Sequence, residues 1–148
     1  LEKNSILTYK EKLIPLAKVI TPNLKEAKVL TGRSGEKEVS LKVLAKELYK
    51  LGSDYVLVKG GHETDEKKMA KDILYDGKEY KEFTKKRIDT KHTHGTGCTF
   101  SSAIASFLAQ GESMEKSVEK SKKYITDAIQ SGCLVGNGHN PVNHLVNI

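Results

Sequence analysis

The chain has 148 residues, 37% hydrophobic and 30% charged, as expected for a soluble globular protein with one core. No apolar run approaches the ~18 residues of a membrane span, so we expect no membrane partner. The formal net charge is +6, but the basic residues are scattered among acidic ones, which argues against a nucleic-acid partner and fits a phosphate-bearing small molecule. The two cysteines, Cys98 and Cys133, make no disulfide framework, and reduced thiols predict a cytoplasmic protein.

The chain is predicted to open with a helix and a buried strand. Residues 5–17 are typical of a helix that Pro15 ends or bends. Its apolar residues fall partly on one side: Ile6, Leu13, Ile14 and Leu16. Residues 17–21 form a short apolar run that Pro22 stops, which predicts a buried strand.

Two helices are predicted to follow this strand. Asn23 caps a short helix through Leu30, with Glu26 at the reciprocal capping-box position and Gly32 at the end. The next helix ends at Gly52, and its apolar residues recur at helical spacing: Leu41, Leu44, Ala45, Leu48 and Leu51.

A second strand and a hairpin come next. Residues 55–59 are apolar and β-branched, and glycines at 60–61 end the run, which predicts a buried strand of the parallel type. Residues 73–75 and 80–84 flank an Asp-Gly pair at 76–77, which predicts a hairpin with a two-residue turn.

The second half of the chain is predicted to be helical. After a polar loop at residues 86–94, one helix ends at Gly111 and a second ends before Gly132. The inner face of the first is marked by Phe100, Ala103, Ile104, Phe107 and Leu108, and that of the second by Met114, Val118, Ile125, Ala128 and Ile129. Residues 135–144 form a polar tail rich in turn residues.

This alternation of strands and helices predicts an α/β layer fold with a mainly parallel sheet. The pattern supplies about two core strands and a hairpin, whereas a mean sheet has about five to six strands. The sheet is therefore expected to be partial, or to be completed by a partner.

The strongest sign of chemistry is the turn at residues 95–98, Gly-Thr-Gly-Cys, directly before an apolar helical pattern. Free N–H groups at a helix N-terminus bind anions, and glycines let the backbone close on a phosphate. We expect three or four N–H groups to point at the anion here. A plain helix start after a glycine-rich loop is the alternative.

Cys98 lies inside this turn and has two interpretations. It is either a small residue in a first helical turn or a thiol whose pKa the helix N-terminus lowers, which would make it a base or nucleophile. An anion site and a base on one turn indicate phosphoryl transfer to a hydroxyl group.

Polar residues also follow both predicted strands. Asn23 and Glu26 come directly after the first strand, where α/β sheets bind ligands, and Glu26 either caps a helix or holds Mg²⁺. Lys59 ends the second strand before Gly60, and it either reaches a phosphate at the same sheet edge or is solvated.

These motifs together resemble the hydroxymethylpyrimidine/phosphomethylpyrimidine kinases of thiamine biosynthesis, which belong to the ribokinase-like superfamily. The similar segments occur in family order from about residue 13 to residue 144. They are Ile20-Thr21-Pro22-Asn23-Leu24-x-Glu26-Ala27, Leu30-Thr31-Gly32, Val56-Leu57-Val58-Lys59-Gly60-Gly61-His62, Thr93-His94-Gly95-Thr96-Gly97-Cys98-Thr99 and Gly138-His139-Asn140-Pro141-Val142-Asn143-His144.

The resemblance implies a three-layer α/β/α fold and transfer of the ATP γ-phosphate to a pyrimidine hydroxymethyl group, then to the phosphate of that product, with Mg²⁺. It implies an anion hole made by Gly95, Thr96, Gly97 and Cys98. Cys98 takes the place of the Asp that most ribokinase-like enzymes use as base.

The resemblance also implies roles for the residues after the strands. Glu26, with Asn23, corresponds to the superfamily's Asn-x-x-Glu metal and phosphate motif. Lys59 and Gly60 would face the ATP phosphates.

The chain departs from the family in length, because members have roughly twice its core length. Residues 1–148 are therefore expected to be the carboxyl-terminal portion of a single kinase domain, with the ATP-phosphate and anion-hole motifs. The family's first half carries most of the pyrimidine pocket, so we expect a homo-oligomer or pairing with an amino-terminal half. Asn140 also replaces a usual glycine.

Two other functions stay open. Related enzymes with the Gly-Thr-Gly-Cys turn accept pyridoxal or pyridoxine, so a kinase for those rings is one alternative. The other is a non-catalytic half-domain that binds a nucleotide or a partner chain.

Overall fold

The structure is a computed structural model that describes residues 3–60, 69–132, 134–135, 138 and 140–146. Two compact units divide the chain, Leu1–Thr84 and Lys85–Ile148. No helix within the described ranges is long and apolar enough to cross a membrane. Four residues of the sequence motifs lie outside the described residues: Gly61, His62, Cys133 and His139.

The helices and strands occur in the predicted order. They are α1 (Lys3–Thr8), a π-helical segment (Tyr9–Leu13), a 3₁₀ turn (Ile14–Leu16), β1 (Val19–Ile20), α2 (Leu24–Thr31), α3 (Leu41–Tyr49), β2 (Tyr55–Lys59), β3 (Met69–Tyr75), β4 (Tyr80–Lys86), α4 (Thr96–Ala109) and α5 (Met114–Gln130). We call residues 140–144, which follow α5, the tail segment.

The first helix differs from the regular helix predicted over residues 5–17. It changes to π-helical and then to 3₁₀ winding before Ala17. Pro15 lies in the 3₁₀ turn, as its missing N–H favours. The change in winding leaves Ile14 buried but Leu13 and Leu16 exposed, so the predicted apolar side forms only in part.

The sheet has the order β1-β2-β3-β4 and is mixed. Strands β1 and β2 are parallel, as predicted, but β3 runs antiparallel to β2. The prediction of a mainly parallel sheet is therefore wrong. The antiparallel pairing follows from the short connection between the two strands. Only nine residues, 60–68, separate β2 from β3, whereas a crossover between parallel strands needs a dozen or more.

The hairpin between β3 and β4 has a longer turn than predicted. Four residues, 76–79, connect the strands in place of two. The Asp76 carboxylate accepts the N–H groups of Lys78 (2.8 Å) and Glu79 (2.7 Å), which stabilises the wider turn. Gly77 has φ +95°, where most side chains are strained, and a Cβ there would meet the Tyr49 ring, so the position favours glycine.

The core of the first unit packs α2 and α3 on one face of the sheet. Along β2, the side chains of Val56 and Val58 belong to this core cluster, whereas Leu57 is also buried but does not belong to it. The other principal members are Ala27 and Leu30 of α2, Leu44 and Leu48 of α3, and Ile73 and Tyr75 of β3. This packing fixes the carboxyl ends of β1 and β2, where the first group of predicted site residues lies.

The second unit consists mainly of α4 and α5, which pack against each other. Buried residues recur at helical spacing on both: Phe100, Ile104 and Phe107 on α4, and Val118, Ile125 and Ala128 on α5. Gly111 follows α4 with φ +87°, as a helix stop requires. The predicted inner faces are therefore confirmed, and the amino end of α4 carries the second group of site residues.

Candidate active site

The first group of site residues lies where β1 and β2 end. Asn23 pairs with Lys59 in an isolated parallel bridge, and the Lys59 N–H donates to the Pro22 carbonyl at 2.9 Å. The pairing of the two strands thus continues beyond Ile20. It brings both predicted residues to the carboxyl edge of parallel strands, which is where α/β sheets bind ligands.

Glu26 is held in place by the predicted capping box. Its N–H donates to Asn23 Oδ1 at 2.9 Å, and its Oε2 accepts the Asn23 N–H at 2.8 Å. The helix-cap interpretation is therefore confirmed. The cap occupies one carboxylate oxygen of an exposed side chain, so it also fixes a negative charge beside the strand ends.

Lys59 presents a cation at the same place. Its side chain is half-buried, and no carboxylate within the described part of the chain forms an ion pair with it. An ammonium group in this setting is suited to an anionic ligand.

Asp72 lies beside this group, and the sequence did not reveal its position there. It lies opposite Lys59 in the β2–β3 register, is only 4% exposed, and its Oδ1 accepts the Gly60 N–H at 3.2 Å. The same N–H donates to the Lys71 carbonyl at 2.9 Å. The one available signal is an acidic residue within an otherwise largely apolar strand.

The second group of site residues forms the turn at residues 95–98. Gly95 is the N-cap of α4 with φ +83°, and the first helical bond runs from the Thr99 N–H to the Gly95 carbonyl (2.9 Å). The N–H groups of Gly97 and Cys98 therefore precede the helical ladder and have no helical acceptor. They lie at the positive end of the helix dipole, with no acidic residue in the first turn.

The turn differs from the prediction in one respect. The Thr96 N–H, expected among the anion donors, points back to the Thr93 carbonyl at 3.3 Å. The Thr96 hydroxyl donates to the same carbonyl at 2.7 Å. The donors that the first turn of α4 offers are those of Gly97 and Cys98, because the side chain of Thr96 favours the tight turn before the helix.

Cys98 is exposed and forms no disulfide. It lines an open cavity of about 390 Å³ that follows one face of α4 past Ser102 and Ser106. Tyr124 of α5 and His144 of the tail segment line the same cavity. The thiol is therefore accessible to a solute next to the two N–H groups.

The tail segment lies beside this turn. Pro141 pairs with His94 in a parallel bridge. Asn140, which departs from the family pattern, is 4% exposed, and its Oδ1 accepts the Val135 N–H at 3.0 Å. The departure therefore adds a buried contact and does not disturb the segment.

The chain is similar to known proteins over almost its whole length. The family model described as phosphomethylpyrimidine kinase matches residues 1–143. The chain is 44% identical to the thiamine biosynthesis bifunctional protein ThiED of Geobacter sulfurreducens, over 99% of this chain and 29% of that protein. It is 39% identical to the hydroxymethylpyrimidine/phosphomethylpyrimidine kinase of Bacillus subtilis, over 97% of this chain and 53% of that enzyme.

A solved structure gives the same result for the fold. The ADP complex of Bacillus subtilis pyridoxal kinase matches with a TM-score of 0.90 at 36% identity, over 97% of this chain and 56% of that one. The chain thus spans about half the length of the single-function enzymes it matches. The predicted ribokinase-like α/β fold with a partial sheet is confirmed, and the chain belongs to the phosphomethylpyrimidine kinase family.

Proposed function

We propose that this chain carries the phosphate-handling part of a kinase that transfers the γ-phosphoryl group of ATP to 4-amino-5-hydroxymethyl-2-methylpyrimidine and then to its monophosphate, in thiamine biosynthesis. The observation that carries the proposal is the turn at residues 95–98, where two N–H groups without a helical acceptor and an exposed thiol lie together. Family membership supports the reaction class, and the name of the Bacillus subtilis relative supports the substrates.

In this mechanism the turn has two tasks. The Cys98 thiolate accepts the proton of the acceptor hydroxyl as the hydroxyl oxygen bonds to the γ-phosphorus of ATP, and the bond from that phosphorus to the bridging oxygen breaks to release ADP. The N–H groups of Gly97 and Cys98 stabilise the negative charge that builds on the transferring phosphoryl group, together with Gly95 and Thr96, which shape the turn.

The residues after the strands would hold the nucleotide phosphates and their cation. Lys59 supplies a positive charge and Asn23 a polar side chain at this edge. Gly60 follows Lys59 and would lie against the phosphates, held in place because its N–H donates to β3. Glu26 fits Mg²⁺, which binds proteins through one or two carboxylates and completes its shell with phosphate oxygens and water. When bound, Mg²⁺ neutralises the triphosphate charge.

Pyridoxal is the second candidate acceptor. The observation that favours it is the TM-score of 0.90 with a pyridoxal kinase. Both acceptors present a hydroxymethyl group on a six-membered nitrogen ring, so the same turn and thiol would serve either one. A direct comparison of acceptors is required to separate them.

The remainder of the kinase site is also a proposal. The chain spans about half the length of its relatives, and we propose that a second copy of the chain or an amino-terminal half completes the site. We also propose a cytoplasmic location, where a thiol base stays reduced.

The test is ADP release by the purified chain with Mg-ATP and each of three acceptors: hydroxymethylpyrimidine, its monophosphate and pyridoxal. The Cys98→Ala variant is the control for contaminating ATPase activity. We expect acceptor-dependent ADP release, with a specific activity that rises with protein concentration if the site forms between chains.

The acceptor that gives the highest kcat/KM identifies the substrate. Folded protein that releases no more ADP than Cys98→Ala with any acceptor would contradict catalysis by this chain. If that protein still binds Mg-ADP in calorimetry, the non-catalytic nucleotide-binding alternative is correct.

A further inference from the structure

The closing residue of the active-site turn is bound to the tail segment. The Thr99 hydroxyl and His144 Nε2 lie 3.0 Å apart, although 45 positions separate them in the chain. The Thr99 N–H closes the turn on the Gly95 carbonyl, and the Thr99 hydroxyl lies 3.9 Å from the position that a Cβ on Gly95 would take. Thr99 is 9% exposed, and both Thr99 and His144 line the cavity that Cys98 lines, so their bond lies at the wall of that cavity.

The tail segment also holds the other end of the turn. The His94 N–H donates to the Asn140 carbonyl at 3.2 Å, and the Val142 N–H donates to the His94 carbonyl at 3.3 Å. Val142 is 2% exposed, which anchors this pairing in the core. The tail segment therefore contacts the chain immediately before residues 95–98 and immediately after them.

His144 is itself held by α5. The Tyr124 hydroxyl donates to the His144 carbonyl at 3.0 Å, and the Asn143 N–H donates to the Ala128 carbonyl at 2.9 Å. The backbone around His144 is thus held on a helix while the imidazole reaches the turn, so the position of the residue does not depend on the Thr99 bond alone.

We propose that His144 is a positioning residue for phosphoryl transfer: through Thr99 it fixes the Gly97 and Cys98 N–H groups in the geometry that receives the phosphoryl group. The proposal rests on the proposed function of the turn. Gly95 holds a left-handed conformation, with φ +83°, so the turn has a defined shape that its surroundings must maintain. Fixing both ends before an anion arrives lowers the ordering cost of binding.

The test measures anion binding and does not need turnover. The probe is inorganic pyrophosphate, and the readout is its protection of Cys98 from alkylation by iodoacetamide, in a Cys133→Ser background so that one thiol reports. The variants are His144→Ala, Thr99→Val and the double variant, with His144→Gln as a conservative replacement that still offers a nitrogen. Leu145→Ala is the matched control, because that neighbouring side chain is 93% exposed.

We expect His144→Ala and Thr99→Val each to raise the half-protecting pyrophosphate concentration about three- to tenfold, as for loss of one hydrogen bond. The double variant should match the single ones, since both remove the same contact. His144→Gln should recover most of the protection, and Leu145→Ala should retain all of it. The thermal midpoint of each variant separates a moved turn from an unfolded unit.

Each remaining outcome overturns the inference. Equal protection in His144→Ala and the parent would exclude a role of His144, while the proposed function of the turn would stand. Additive effects of the two single variants would show that His144 does not act through Thr99. Absence of protection in the parent itself would overturn the anion site and this inference together.

Discussion

The two groups of site residues are held in place in different ways. At the strand ends, Asn23 and Glu26 fix each other three residues apart, and Lys59 follows from the sheet register. At the turn, the short-range bonds of Thr96 are joined by contacts to a segment more than forty residues away. Regular secondary structure thus builds one site, whereas the other also depends on a segment that is neither helix nor strand.

This difference predicts different responses to perturbation. The strand-end site shares its bonds with α2, β1 and β2, so it should be lost only when the first unit unfolds. The tail segment has few such bonds and should open locally at a lower free energy. The following predictions test this comparison, from the largest expected effect to the smallest.

Replacing the proposed base should have the largest effect. Cys98→Ala should lower kcat about 10²- to 10⁴-fold, as for loss of a general base, with little change in the affinity for Mg-ATP. The measurement is steady-state kinetics with the preferred acceptor. Cys98→Asp restores a basic group at the same position and should retain more activity than the alanine variant. Unchanged turnover in Cys98→Ala would exclude the base.

Glu26→Gln should separate the cap from the cation site. A glutamine oxygen still accepts the Asn23 N–H, so the capping box and the thermal midpoint should be preserved. Loss of the carboxylate should raise the Mg²⁺ concentration for half-maximal activity about tenfold. Glu38→Gln removes an exposed charge elsewhere in the same unit and serves as control. A Mg²⁺ titration identical to the parent would leave Glu26 as a helix cap alone.

Two glycines provide a matched pair across the two units. Gly32 and Gly95 both have positive φ, +77° and +83°, and neither position would bring a Cβ into a clash. Alanine should therefore destabilise each unit by a similar amount, about 1 kcal/mol, measured by urea unfolding. Only Gly95→Ala should also weaken pyrophosphate protection of Cys98. Equal effects of both substitutions on protection would remove the distinction between the sites.

The smallest effect concerns the ion pair of the first unit. Arg33 donates to both Glu47 oxygens at 2.7 Å and 2.6 Å, and these hydrogen bonds hold the pKa of Glu47 below its ordinary value of 4.5. A lowered folded-state pKa contributes stability above the ordinary pKa, and that stability is lost as the pH falls through the lowered value.

Glu47→Gln should thus lower the unfolding free energy by about 0.5–1 kcal/mol at pH 7, because the pair is partly exposed. The difference from the parent should shrink as the pH falls from the ordinary value of 4.5 through the lowered pKa of Glu47. Urea unfolding of parent and variant across pH 2 to 8 measures it. A difference in unfolding free energy that does not change with pH would mean that the charge of Glu47 does not contribute to stability. The activity that depends on residues 95–98 should be the same in Glu47→Gln and the parent.

The sequence predicted those parts of the molecule whose cause is local. The capped helix α2 could be predicted from Asn23, Glu26 and Gly32, because the hydrogen bonds of these residues join neighbours in the chain. The glycine-rich turn before α4 was predicted for the same reason, although the direction of the Thr96 N–H was not. The sequence could not predict which side chains of β2 join the core. All of residues 56–58 are apolar, so their pattern does not show that Val56 and Val58 belong to the core cluster and Leu57 does not.

The contacts of Asp72 and His144 could not be predicted in this way, although His144 belongs to the last of the family-like segments. Asp72 lies next to the strand-end residues only because β3 runs antiparallel to β2, and that pairing places it opposite Lys59. His144 meets Thr99 only after α4 and α5 have packed and the chain has turned back. Tertiary structure determines contacts of this kind, so the spacing of residues along the sequence does not predict them.

The position of the tail segment in the chain also orders the events of synthesis. The turn at residues 95–98 leaves the ribosome well before residues 140–144, so α4 and α5 can form a hairpin while His94 and Thr99 still lack their distant partners. Contacts of long sequence separation form late in folding. The nascent chain would therefore acquire an ordered helix start early and a finished anion site only after the tail segment has docked.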